Sequence, residues 1–168
     1  MQGEAWIYAI LRHDRDLLVA IIEDGLDVVT NRDGQGMTPL HLAAKVGDTE
    51  AIKLLLTCPG ARDALNTFDD IAYTPLTWAA VCENCHTVEA LVDAGADINA
   101  QDGSINNTPL REVAETASLH MIESMLTLGA DPNRSGWMQL TALDKLRERF
   151  AVSSCKRLEK IIRGILKK

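Results

Sequence analysis

An all-α solenoid of stacked helix–turn–helix units is the fold class that this sequence predicts. Three observations point to it. A helix start recurs at Thr38-Pro39-Leu40, Thr74-Pro75-Leu76 and Thr108-Pro109-Leu110, with a weaker copy at Thr141-Ala142-Leu143. The four threonines are separated by 36, 34 and 33 residues, a period that marks a repeat architecture. Related endings, Gly95-Ala96-Asp97-Ile98-Asn99 and Gly129-Ala130-Asp131-Pro132-Asn133, close two of the units, and Gly25-Leu26-Asp27 is a weaker form.

The expected organisation is one domain over 1–168. Its units are about 4–30, 31–66, 67–99, 100–133 and 134–150, with a capping helix over about 153–167. The opening unit lacks a Thr-Pro start. Ala5, Ile7, Ala9, Ile10 and Leu11 supply a first apolar helix, and Leu17, Leu18, Ala20, Ile21 and Ile22 a second. In the next unit Thr38 is placed to cap a helix, with Pro39 at the first helical position, where its missing N–H does no harm. Leu40, Leu42, Ala43 and Ala44 follow, then a turn at Gly47 and a second helix begun by Asp48 or Thr49. The connection from Ala61 to Leu65 is about two residues longer than its counterparts. Loops rich in Asp, Gly and Asn, such as Asn31-Arg32-Asp33-Gly34, suit β-hairpin-like projections between helix pairs. Near the end, Leu158, Ile161, Ile162, Ile165 and Leu166 form an amphipathic stripe fit to cover the last unit.

Composition narrows the function classes. The chain has 168 residues, 46% of them hydrophobic, with no apolar run long enough for a membrane span. Its start lacks the features of a secretion signal, so a cytoplasmic protein is expected. The net charge is −7, unevenly spread. Between Asp63 and Asp144 there are 13 acids against two bases, whereas Lys145–Lys168 holds nine bases and two acids. The acidic middle disfavours nucleic acid and anionic lipid and favours a basic partner.

The units resemble ankyrin repeats. Thr38-Pro39-Leu40-His41-Leu42-Ala43-Ala44, the Gly-Ala-Asp-x-Asn endings and the repeat steps carry the likeness, over about residues 4–150. Glu83 and Ala117 stand where the turn glycine of the first full unit is Gly47, and Asn106 and Gln139 where its loop glycine is Gly36. The resemblance implies a protein-binding role through loop tips and first helices. The positions concerned are Arg32, Gln35, Met37, Lys45 and Val46, then Phe68, Asp70, Ile71, Tyr73 and Trp78. Further along they are Ser104, Ile105, Asn107, Arg111, Glu112 and Glu115, and finally Trp137 and Met138. Four of the chain's seven aromatic rings fall on this surface, flanked by acids, as interface anchors do. Trp78 could equally fold over the loops as packing.

Chemistry is sparse. Cys82-Glu83-Asn84-Cys85-His86 matches the spacing of covalent haem attachment and contains a Cys-x-x-Cys. It falls in an inter-helix turn, and no second cysteine pair or histidine cluster would complete a zinc site. A redox, metal or haem role for Cys82, Cys85 and His86 is the alternative of another class. His41 is expected to position neighbouring loops. No phosphate-binding loop or nucleophile–base–acid motif emerges. The expectation is a non-catalytic monomer without metal or cofactor. It would bind a protein with a basic patch, as an adaptor or a stoichiometric inhibitor. Neutralisation of a basic toxin or enzyme by an immunity-type protein is the alternative.

Overall fold

The computed structural model describes residues 4–101, 104, 106–151, 160, 161, 163 and 164. Ile105, Cys155 and most of the expected capping helix lie outside the described residues. The chain divides into two compact units, Met1–Asp97 and Ile98–Lys168.

The first unit holds α1 (Ala5–Leu11), α2 (Arg15–Glu23), α3 (Pro39–Val46), α4 (Thr49–Leu55), α5 (Ala61–Ala64), α6 (Pro75–Val81) and α7 (Cys85–Asp93). The first helices α1, α3 and α6 pack side by side in one layer, and α2, α4 and α7 in a second. Helices α2, α4 and α6 begin on a polar residue whose side chain satisfies an unpaired N–H group. Asp14 accepts from the Leu17 N–H at 3.0 Å, and Asp48 from the Ala51 N–H at 2.9 Å. The Thr74 hydroxyl accepts from the Thr77 N–H at 3.2 Å. Pro39 and Pro75 take the first helical turn, as their sequence positions predict. Leu40, Ile52, Leu55, Leu76 and Leu91 are wholly buried between the layers. Ala43, Ala44, Ala79 and Ala80 are wholly buried too, and their small side chains let α3 and α6 lie close.

Polar side chains tie each repeat to the next. The Asn84 amide donates to the Ala44 and Lys45 carbonyls, at 3.0 and 3.2 Å, which terminates α3 against the following repeat. Gly47, with φ 75°, is needed there, because a Cβ would strike that same amide. Asp48 is buried at 4% exposure, where His13 Nδ1 meets it at 2.6 Å and Arg15 Nη1 donates to it at 2.7 Å. Burial pushes its carboxyl upward. The bonds from Arg15, the Ala51 N–H and His13 outweigh this and hold it below the usual carboxylate range.

Two features differ from the sequence expectation. The longer connection after Pro59 is not an open loop. It winds into α5 behind Gly60 and buries Ala61, Ala64 and Leu65. The hairpin-like loops contain no strand among the described residues. In the first unit, loops 32–37 and 68–73 are each closed by an aspartate that accepts backbone N–H groups, a side-chain mimic of a turn.

The second unit holds α8 (Pro109–Val113), α9 (Leu119–Thr127), a 3-10 turn at Trp137–Gln139 and α10 (Ala142–Ala151). Thr108 caps α8 and Ser118 caps α9. Thr141 and Asp144 cap α10 reciprocally. The Thr141 N–H donates to the Asp144 carboxylate, and the Asp144 N–H to the Thr141 hydroxyl, both at 3.0 Å. Helix α10 packs on α8, fixed by the Arg149 guanidinium on the Ala114 carbonyl at 3.0 Å. Leu110, Met121, Ile122 and Leu146 fill the core.

Asp48→Ala removes one cap and unpairs Arg15. A loss of roughly 1–3 kcal/mol is expected in urea unfolding. Unchanged stability would show that the His13–Arg15–Asp48 cluster contributes nothing.

Candidate functional site

In the first unit two loops, 32–37 and 68–73, run side by side. Asp33 Oδ1 accepts from the Gln35 and Met37 N–H groups at 2.8 and 2.9 Å. Asp69 Oδ1 accepts from Ile71 and Tyr73 in the same way, at 3.1 and 2.9 Å. The loops are then cross-linked. The Asp70 N–H donates to the Gln35 carbonyl at 3.2 Å, and Arg32 Nη1 donates to the carbonyls of Gly36 and Phe68 at 2.8 and 2.9 Å.

His41 fixes this pair of loops to the helices. Its Nδ1 accepts from the Thr38 N–H at 3.1 Å, so the ring proton sits on Nε2, which donates to the Tyr73 carbonyl at 3.0 Å. This matches the loop-positioning role expected of it. Burial pushes the imidazole down to about 4, against the raising effects of the Tyr73 carbonyl and the Asp69 charge, with Arg32 adding to the depression. The ring is neutral at neutral pH.

Above these loops Gly34, Gln35, Lys45, Asp69, Asp70, Ile71 and Trp78 line a concavity of about 330 Å³. Trp78 is half-buried. Its indole N–H donates to Asp69 Oδ2 at 2.7 Å, and Tyr73 meets it edge-on with ring centroids 5.4 Å apart. The Lys45 ammonium lies over the ring, 3.9 Å from its centroid. Trp78 therefore packs on the loops and also walls the cleft. Ile71 is 52% exposed at the rim.

The structure brings Phe68, Asp70, Ile71, Tyr73 and Trp78 onto this one surface. Arg32 is there too, but two carbonyls occupy its guanidinium, and it acts as a brace. Met37 is a correction. It is 4% exposed and belongs to the core, because the residue before a helix cap packs back onto the first turn. Asp69 was not a sequence candidate. Its signal was available, since it stands in the register of Asp33, one repeat earlier.

The remaining candidates lie in the second unit. Asn107 donates to Glu112 Oε2 at 2.9 Å and accepts from the Trp137 N–H at 3.0 Å. Glu115 pairs with Lys145 at 2.5 Å. Trp137 and Met138 are 57% and 75% exposed, on a loop closed by the Gly136 N–H on the Leu140 carbonyl. Ile105 is outside the described residues.

The cysteine motif lacks the electrostatics of a reactive site. Cys82 ends α6 and Cys85 opens α7. Burial pushes both thiols up. Lys45 opposes this at Cys82, while the charges of Glu83 and Glu89 add to it at Cys85. Thiolates, the nucleophilic and metal-binding form, are disfavoured. His86 points to solvent with Glu89 at 3.5 Å, and no group of three metal-ligating side chains occurs among the described residues. Nor is any described helix long and apolar enough to cross a membrane.

Short helix pairs in two layers, with loops bonded edge to edge and a cleft beside the first helices, define a helical repeat protein. The family description "Ankyrin repeats (3 copies)" matches residues 6–102, and the chain belongs to the ankyrin repeat family. It is similar to the putative ankyrin repeat protein FPV244 of Fowlpox virus (strain NVSL), 36% identical over 92 residues, covering 54% of this chain and 13% of that protein. Over 66 residues it is 41% identical to the putative ankyrin repeat protein YahD of Escherichia coli (strain K12), covering 39% of this chain and 31% of YahD. Over 97 residues it is 32% identical to NF-kappa-B inhibitor alpha of Homo sapiens, covering 56% of this chain and 30% of the inhibitor. The chain thus spans less than a third of the length of each of these relatives.

Two predictions follow from this chemistry. Unfolding frees His41 to take up a proton below about 6.5, which the folded protein refuses until about 4. Its contribution is therefore complete above 6.5 and is lost as pH falls toward 4, by on the order of 3 kcal/mol in all. In urea titrations between pH 7 and 5, His41→Leu is expected to be less stable at pH 7 and to lose less on acidification. Parallel pH profiles for the two proteins would refute the assignment. For the cysteines, alkylation of the folded protein near neutral pH is expected to run several-fold slower than that of an unstructured thiol peptide. Faster labelling at Cys82 or Cys85 would revive the redox reading.

Proposed function

We propose that the chain is a non-catalytic, monomeric protein-binding module that acts by occupying its partner, as an adaptor or a stoichiometric inhibitor. Repeats of this family mediate protein–protein interaction. The observation that carries the reading is the cleft walled by Asp70, Ile71 and Trp78 on two cross-bonded loops. Its backbone and the Trp78 ring are held before any partner arrives, so less ordering entropy opposes binding. The name of NF-kappa-B inhibitor alpha supports the inhibitory form. The loop surface of the second unit, with Asn107, Glu112, Glu115, Trp137 and Met138, would offer a contact of its own.

The acid excess between Asp63 and Asp144 favours one particular version. In it the chain neutralises a basic toxin or enzyme by covering a cationic cleft, in the manner of an immunity protein.

The test is affinity purification of the intact protein from its own cells, repeated with the double variant Asp70→Lys and Ile71→Asp. Recovery of the partner retained by the wild type is expected to fall about tenfold or more, with the melting temperature unchanged. Undiminished recovery would move the interface off these loops. A partner with an acidic contact surface would remove the toxin-neutralising version.

A further inference from the structure

Trp78 already has most of its surroundings in place. Its N–H is taken by Asp69, its edge by Tyr73, and the Lys45 ammonium covers a ring face. Lys45 and Asp70 both line the same cleft, yet neither has an ion-pair partner within 4.0 Å among the described residues. The cleft therefore carries two carboxylates, Asp69 and Asp70, against one ammonium. Its apolar walls are Ile71 and the indole of Trp78. An aromatic face beside carboxylates, with an aliphatic side chain in the same lining, suits a long apolar stem ending in a cation. A volume of about 330 Å³ admits one such side chain and excludes a folded element.

We propose that this cleft is the seat for a single basic side chain, arginine foremost, of a protein partner, and that Lys45 is its internal competitor. The inference rests on the protein-binding reading and names what that site takes. Arginine suits it better than lysine, because its planar guanidinium stacks on the indole and still presents donors to Asp70. Lys45 must then swing off the ring or share it. An apolar or acidic anchor would gain nothing from the carboxylates. The competitor role makes an unusual demand. Deleting a positive charge that belongs to the site should strengthen binding, by freeing the ring face and leaving both carboxylates uncompensated.

The experiment titrates the ¹⁵N-labelled intact protein with acetyl-arginine amide, acetyl-norleucine amide and acetyl-glutamate amide. It follows the Trp78 indole N–H resonance, assigned by Trp78→Phe. A saturable shift with the arginine probe is expected, with the norleucine probe roughly threefold or more weaker and the glutamate probe weaker still. Lys45→Met is expected to tighten the arginine probe roughly two- to fivefold, and Asp70→Asn to weaken it by a similar factor. An equal response to norleucine, no response to arginine, or weakening by Lys45→Met would each overturn the proposal. The wild-type comparison needs no variant to fold. If partner recovery still depends on Asp70 and Ile71 while the arginine probe fails, the basic-side-chain seat falls and the protein-binding reading stands. If neither depends on the cleft, both fall.

Discussion

A helix of seven to nine residues cannot stand alone, and almost every helix here is that short. The structure depends on this constraint. Each helix pair buries one side against its partner and has a second side that only a neighbouring repeat covers. The wholly buried Leu40, Leu55, Leu76 and Leu91 supply the drive, at roughly 1.5–3 kcal/mol for each side chain removed from water. Alanines at 43, 44, 79 and 80 set the spacing, since any larger side chain would push α3 and α6 apart. Stability is thus a property of adjacent repeats, and geometry passes from each repeat to the next through packed surfaces.

The loops inherit their positions from that packing and then fix one another. Asp33 and Asp69 close them, Arg32 bridges them, and His41 reaches from the buried first turn of α3 to the Tyr73 carbonyl. These polar groups are consumed by structure, whereas their neighbours Asp70, Ile71 and Trp78 face the cleft. The division matters because a rigid loop loses little freedom on binding, whereas a mobile one of the same composition would lose much. It also ties the cleft to the core. Protonating His41 would disturb the Tyr73 loop and the core together.

Much of this was legible in the chain. The Thr-Pro starts, the period and the Gly-Ala-Asp endings are local signals, and they located the helices and the loops between them. What escaped depended on contacts across repeats. Met37 lies in a loop, and only its place before the Thr38 cap turns it into the core. In α1 an apolar Leu11 looks like packing, yet it is 52% exposed while Trp6 is buried. The sequence supplies no local reason to seat Lys45 on Trp78, 33 residues away, because that contact exists only once α3 lies against α6. Cys82-Cys85-His86 shows the limit of spacing alone. Its spacing suggests chemistry, but the helix–turn–helix geometry points His86 to solvent and half-buries the two thiols.

The turns show how firmly the packing governs. The loop position held by Gly36 is Ala72, Asn106 and Gln139 in later copies, and all four have φ between 59° and 71°. The inter-helix turn held by Gly47 is left-handed at His13 and Glu83 too, at 53° and 62°, but not at Ala117. A residue with a Cβ is disfavoured there by about 1–2 kcal/mol, and persists only where its surroundings over-determine it. At Gly36 the Asp70 carboxylate leaves no room for a Cβ, so the glycine is required by space as well as by angle. At the other copies the stack imposes the conformation on whatever residue is present. Side chains there can therefore differ without altering the backbone that carries them. The scaffold holds each loop in shape, and the loops remain free to differ in what they present.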